Sequence, residues 1–146
     1  MVTDSSAIAL PTDALLRIET ECGGQSRISN DDYIEGAPEL IVEIASSSAS
    51  YNMHEKLQVY RRNGVQEYLV WLVDEQAILW YRLQEGIYVP LASSDRGLLI
   101  SETFPGLWLD ALSLLHGDLA SALAIVQEGI ASSAHQDFVQ QIVQVG

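Results

Sequence analysis

The sequence predicts an α/β (α+β) fold in which a mixed β-sheet is flanked by helices and contains one βαβ unit with antiparallel strands added to it. Two observations predict it. Residues 39–73 read as strand, helix and strand, a succession that pairs parallel strands across a helical crossover. Apolar runs at 77–83 and 87–91 follow after short turns at 74–76 and 84–86, which suits antiparallel returns.

In chain order, residues 1–11 are polar and unpatterned. Ala14-Leu15-Leu16-Arg17-Ile18 reads as a short strand closed by the paired glycines Gly23-Gly24. Residues 26–36 read as loop, and the acidic pair Asp31-Asp32 within them as part of a solvated loop rather than a ligand set. Pro38 opens the strand 39–45, where Leu40, Val42 and Ile44 share one face and Glu39, Ile41 and Glu43 the other. The serine-rich loop 46–50 supplies helix-capping residues. From Asn52 to Asn63, residues Met53, Lys56, Leu57 and Tyr60 recur at i, i+3, i+4 and i+7, and Gly64 ends that helix. Residues 67–74 are nearly continuously apolar, as in a central strand covered on both faces. Leu98-Leu99-Ile100 reads as a further short strand. Behind the cap Asp118, residues Leu119, Ala122, Leu123, Val126 and Ile130 form a helical stripe, and a last short helix carries Phe138 and Ile142.

A chain of 146 residues is expected to form a single domain over 1–146, with 110–146 as a C-terminal helical extension packed on that domain or on a second copy. Seven Lys and Arg against 20 Asp and Glu give a net charge of −13, which excludes a general electrostatic grip on phosphates or anionic lipid. Any contact with nucleic acid must be local, and it cannot involve the tail, which has no Lys or Arg after Arg96. The single cysteine, Cys22, excludes an intramolecular disulfide and a cysteine-rich zinc cage, and suits a cytoplasmic location. The most apolar stretch, 119–126, is far short of the roughly 20 residues that cross a bilayer, so no membrane association is expected. Exposed strands and unpaired sheet edges favour a homo-oligomer. The serines of 46–50 lack a nucleophile-elbow pattern, His54, His116 and His135 are too scattered for a short zinc motif, and Gly23-Gly24 lacks the lysine of a phosphate loop.

Glu39 and Glu43 share a strand face but stand roughly 13 Å apart at about 3.3 Å per residue, so they cannot share one cation whose ligands lie at about 2 Å. A second carboxylate must come from elsewhere. Glu43 lies at the C-terminal end of its strand, near which the following helix begins, so Lys56, the only lysine of the chain, can approach it. On a stripe that faces the sheet, its ammonium needs a carboxylate partner or a stem that carries it to water. Lys56 therefore reads as half of a structural ion pair with Glu43, as a snorkelling side chain, or as part of a reactive site. Asp13, at the start of the first strand, is an acid that a neighbouring strand could bring beside Glu43. Asp13, Glu43 and the carbonyl of Ile44 together offer hard oxygen ligands for Mg²⁺, and Lys56 a charge to orient water or to meet negative charge developing on a phosphate. That composition suits metal-assisted phosphodiester hydrolysis, with Arg61 and Arg62 as a local phosphate-facing patch.

The runs 36–45 and 55–68, the serine loop between them and Val70-Trp71 resemble the Uma-two family of the PD-(D/E)XK restriction-endonuclease-like superfamily. The likeness extends from about Pro11 to Leu115 and includes Phe104-Pro105-Gly106-Leu107-Trp108-Leu109. The resemblance implies a restriction-endonuclease-like fold and a Mg²⁺-dependent (or Mn²⁺-dependent) endonuclease acting on DNA. It implies Asp13 as the motif aspartate, Glu43 as the motif glutamate and Lys56 as a lysine moved from the strand to the following helix, which explains why Ile44-Ala45 follows Glu43. Glu39 matches a usually acidic position and is implied as an auxiliary group. Thr12 stands where the family often has proline, and Asn52 where it often has aspartate. The chain starts almost at the motif aspartate, so the family's N-terminal part is expected to be missing. The competing expectation is a catalytically degenerate nuclease fold that acts as an interaction or oligomerisation module.

Overall fold

The computed structural model of the chain describes residues 7–9, 14–48 and 52–145. Three short strands, β1 (Ala7–Ala9), β3 (Arg27–Ile28) and β4 (Tyr33–Glu35), form a small antiparallel sheet of order β1-β4-β3. This corrects the expectation of unpatterned residues before 11 and of a loop over 26–36. Neither segment has enough alternation to announce a strand, and each is specified by its partner: Ala7 pairs with Glu35 and Ile28 with Ile34, a fully buried side chain. Asp31 and Asp32 are exposed in the hairpin turn, where Asp32 has a φ of 61°.

The main sheet has five strands. Between β1 and β3 the chain forms β2 (Ala14–Leu16), and after β4 come β5 (Leu40–Ala45), helix α1 (Met53–Arg62), β6 (Glu67–Leu72), β7 (Ala77–Gln84) and β8 (Ile87–Pro90). The order is β2-β5-β6-β7-β8, with β5 and β6 parallel and every other neighbour antiparallel. β2 is shorter than the predicted 14–18, because the chain leaves it for a one-turn 3-10 helix at Thr20–Cys22 and the Gly23-Gly24 turn. Gly24 is required there: a Cβ on it would stand 1.7 Å from the Ile18 carbonyl oxygen. Glu85 and Gly86, both at positive φ, close the β7–β8 hairpin with the twist that two-residue hairpin loops prefer.

Parity along β5 divides two cores. Ile41, Tyr60, Tyr68, Val70 and Leu72 pack under α1 on one face, against Met53 and Leu57 of the predicted helical stripe. Leu40, Leu69, Trp80 and Leu99 pack on the other, under the segment that contains Phe104 and Leu107. Val42 leans on the second core, but Ile44 of the same parity is half exposed, so the second core ends short of the C-terminal end of β5. Helix α1 begins one residue after Asn52, which has a φ of 52° and makes no side-chain cap; its amide donates instead to Glu55 at 2.6 Å. Gly64, at a φ of 77°, follows the helix end as predicted.

The second core is tied to the sheet by Glu67, which is fully buried. Its Oε1 accepts from Trp80 Nε1 (3.2 Å) and Ser101 Oγ (2.7 Å), and its Oε2 from the backbone N–H of Glu102 (2.8 Å) and Thr103 (2.9 Å). A two-stranded hairpin of β9 (Leu99–Ile100) and β10 (Trp108–Leu109) is thereby fixed over the sheet. Three helices follow: α2 (Ala111–Leu115), α3 (Leu119–Ile130) and α4 (Ser133–Val145). Asp118 caps α3 by accepting from Ser121 N, as predicted. The α3 stripe splits: Ala122 is buried, whereas Leu119, Leu123 and Ile130 are each half exposed or more. Phe138 of α4 packs edge-on against Phe104 at 6.0 Å. Among the described residues no helix is long and apolar enough to cross a membrane.

Candidate active site

Glu43 is 3% exposed, on the sheet face covered by α1 and opposite Val70 of β6. A carboxylate so far from water needs donors, and two tyrosines supply them. Tyr60 Oη, from the sheet-facing side of α1, donates to Glu43 Oε1, and Tyr68 Oη, from β6, donates to Oε2 at 3.4 Å. The two rings meet edge to face at 5.1 Å. Burial, followed by the Glu43 charge, pushes the Tyr68 phenol far above its ordinary range, so this hydroxyl stays a neutral donor.

Lys56 lies four residues before Tyr60, one helical turn nearer the start of α1, and is partly exposed. The placement of lysine and glutamate at one end of the βαβ unit follows from the parallel pairing of β5 and β6, which sets the loop after β5 and the first turn of α1 over the same strand end. Ile44 completes that end. The carbonyls of Glu39 and Ala45 accept from Glu67 N (2.9 Å) and Val73 N (2.8 Å), so the odd-numbered peptide groups of β5 face β6 and the carbonyl of Ile44 faces the β2 side. Asp13 lies outside the described residues.

The remaining predicted residues stand elsewhere. Arg61 and Arg62 occupy the last turn of α1, away from Lys56 by about 7.5 Å or more of helix axis. Arg61 leans on Gln58 Oε1 (2.9 Å) and toward the Gly86 carbonyl (3.5 Å), and Arg62 is exposed. Glu39 is at the opposite end of β5 from Glu43, 8% exposed, with Oε1 accepting from Ile18 N (3.0 Å) and Oε2 buried without a hydrogen-bond partner among the described residues. It lines a cavity of about 150 Å³ together with Gly24, Ala37, Gly64 and Gln66. Burial raises its pKa, opposed by the Ile18 N–H and by Arg17.

That shift gives a pH dependence with a definite sign. A carboxyl whose folded-state pKa lies above its unfolded value binds its proton more tightly in the fold, so its stabilising contribution is complete below the ordinary value of 4.5 and disappears as pH rises through the raised value. Wild-type stability relative to Glu39→Gln is therefore expected to fall as pH rises above about 4.5. Urea midpoints measured for both chains across that range check it; a constant difference contradicts it.

The residues at the Glu43 end fit a hard divalent cation by donor chemistry, since carboxylate and strand carbonyl are oxygen donors of the kind Mg²⁺ and Mn²⁺ take. Among the described residues no group of three or more His, Cys, Asp or Glu side chains is placed to hold a metal ion. Two participants were missed in the sequence, Tyr60 and Tyr68. Tyr60 was visible as the last position of the stripe that includes Lys56, and Tyr68 as the one hydroxyl in the apolar run 68–73.

The mixed sheet with its parallel β5–β6 pair and its helices is consistent with a restriction-endonuclease-like fold. The model of the Uma2 family, described as "Putative restriction endonuclease", matches residues 12–113, and the chain belongs to that family. No curated protein matches the chain.

Proposed function

We propose that this protein is a divalent-metal-dependent endonuclease that hydrolyses DNA phosphodiester bonds with an activated water. The observation that carries the reading is Glu43: a nearly inaccessible carboxylate at the C-terminal end of β5, tied to α1 one turn from the only lysine of the chain. The pairs Leu16↔Leu40, Leu15↔Ile41 and Ala14↔Val42 lay β2 antiparallel beside β5, and Asp13 directly precedes Ala14 in the sequence, which supports it as the companion acid. In this reading Asp13, Glu43 and the Ile44 carbonyl hold Mg²⁺ or Mn²⁺. The bound cation supplies charge neutralisation at the phosphate and a more acidic water. Lys56 brings a positive charge to the mouth of the site, where it orients the water or meets charge developing on the phosphate. Glu39 acts at the far end of β5 as a support of the strand entry, and Arg61 and Arg62 give the DNA backbone a local contact on an otherwise acidic molecule. With one cysteine and no bridge to form, the protein suits the cytoplasm. The test is cleavage of DNA by purified protein with Mg²⁺ or Mn²⁺ and not with chelator, together with calorimetric metal binding that Asp13→Asn weakens. A chain that binds no divalent ion overturns the reading.

A second reading, an interaction or oligomerisation module, rests on α3. Leu119, Leu123 and Ile130 are 50–59% exposed, and Glu128 is the one charged residue in the helix, so a second copy can dock there despite the net charge of −13. Light scattering is expected to give a dimer that Leu119→Ser with Leu123→Ser converts to monomer. A monomeric wild type contradicts this.

A further inference from the structure

We propose that Tyr60 is a positioning residue for the metal-binding carboxylate: it holds Glu43 Oε1 and leaves Oε2 as the oxygen presented to a divalent cation. The inference rests on the nuclease reading above and assigns the tyrosine a part in it.

The two tyrosine contacts are unequal. Tyr60 Oη is in close hydrogen-bonding contact with Oε1, whereas Tyr68 Oη is 3.4 Å from Oε2, near the limit at which a hydrogen bond is counted. A carboxylate with one oxygen held firmly and the other loosely offers the loose oxygen to a stronger ligand. A cation that replaces the Tyr68 contact gives up the longer of the two hydrogen bonds, while one that displaced Tyr60 would give up the closer.

Tyr60 is also itself well fixed. Its side chain is 5% exposed, it stands on a ten-residue helix, and its ring lies edge-on against Tyr68. Tyr68 is in turn stacked on Tyr81 at 6.4 Å and flanked by Tyr88 at 6.5 Å, whose hydroxyl is bound to the Val65 carbonyl at 2.7 Å. Rigid support behind a ligating carboxylate matters because a group that can rotate loses entropy on binding a cation. Residues that hydrogen-bond a metal ligand typically contribute 10–100-fold to affinity.

Mn²⁺ affinity of the full chain without DNA, read by the electron paramagnetic resonance signal of free Mn²⁺, separates the possibilities. Wild type is expected to bind and Glu43→Gln to lose the site; if wild type does not bind, or Glu43→Gln binds equally, the nuclease reading itself fails. Given a Glu43-dependent site, Tyr60→Phe is expected to weaken binding about 10-fold or more and Tyr68→Phe by less than about 3-fold. A Tyr60→Phe affinity within about twofold of wild type, or a Tyr68→Phe loss as large as that of Tyr60→Phe, overturns the assignment to Tyr60. Should Tyr60→Phe not fold, the Tyr68→Phe chain decides alone. Mg²⁺ must still perturb its tyrosine absorbance, and its Mn²⁺ affinity must stay within about threefold of wild type; failure of either overturns the proposal.

Discussion

Glu43→Gln is expected to reduce Mg²⁺-supported DNA cleavage by roughly 10²- to 10³-fold, the order of loss that follows removal of one electrostatic stabiliser of a developing charge. Glutamine has the same shape, and its amide oxygen can still accept from Tyr60, so the thermal midpoint is expected to move little. What it lacks is the negative charge that a cation requires of its ligand. Lys56→Ala is the informative companion. It is expected to lose cleavage to a similar degree while keeping divalent-metal binding, because an ammonium repels a cation and acts on the phosphate or the water. The pair of measurements, cleavage rate and metal affinity, therefore distinguishes a ligand from a charge donor. Equal cleavage by wild type and both variants would assign the activity to a contaminant and leave the α3 surface as the better guide to function.

Glu67→Leu is expected to be the most damaging single change to the fold. It removes one acceptor group and strands four donors at once: Trp80 Nε1, Ser101 Oγ and the backbone N–H groups of Glu102 and Thr103. A buried donor left without a partner costs about 1–3 kcal/mol, so a loss of about 4 kcal/mol or more is expected against a total stability of about 5–15 kcal/mol. Urea denaturation followed by tryptophan fluorescence checks this, since Trp80 reports on the lost bond directly. Glu67→Gln, which keeps one acceptor oxygen but turns an amide N–H₂ toward two N–H donors, is expected to fall between wild type and leucine and stays measurable if leucine does not fold. A change below about 1 kcal/mol in the glutamine chain would show that the 101–104 segment does not depend on Glu67 for its place.

Both predictions concern a buried glutamate in the main sheet, yet the two were unequally legible. Glu43 was visible because strand alternation put it on a face with Ile41, at a strand end that a helix follows. Glu67 opens a run of apolar residues, and an acid at the edge of such a run reads as a strand boundary. Its donors are 13 to 36 residues away in the chain, and no spacing rule joins them to it.

By itself the sequence determined the βαβ unit, the two added antiparallel strands, the cap of α3 and the helix that carries Lys56 behind the strand that carries Glu43. Each depends on periodicity or turn chemistry within about a dozen residues, where the backbone period dictates which side chains share a face. The tertiary structure alone decided the β1-β4-β3 sheet, the exposure of half of the α3 stripe, the assignment of Glu39 to a cavity at the opposite strand end, and the tyrosines that hold Glu43. These are contacts between segments that are distant in the chain. Their energy comes from burial and from pairing of polar groups across elements, which the local pattern of either segment does not encode.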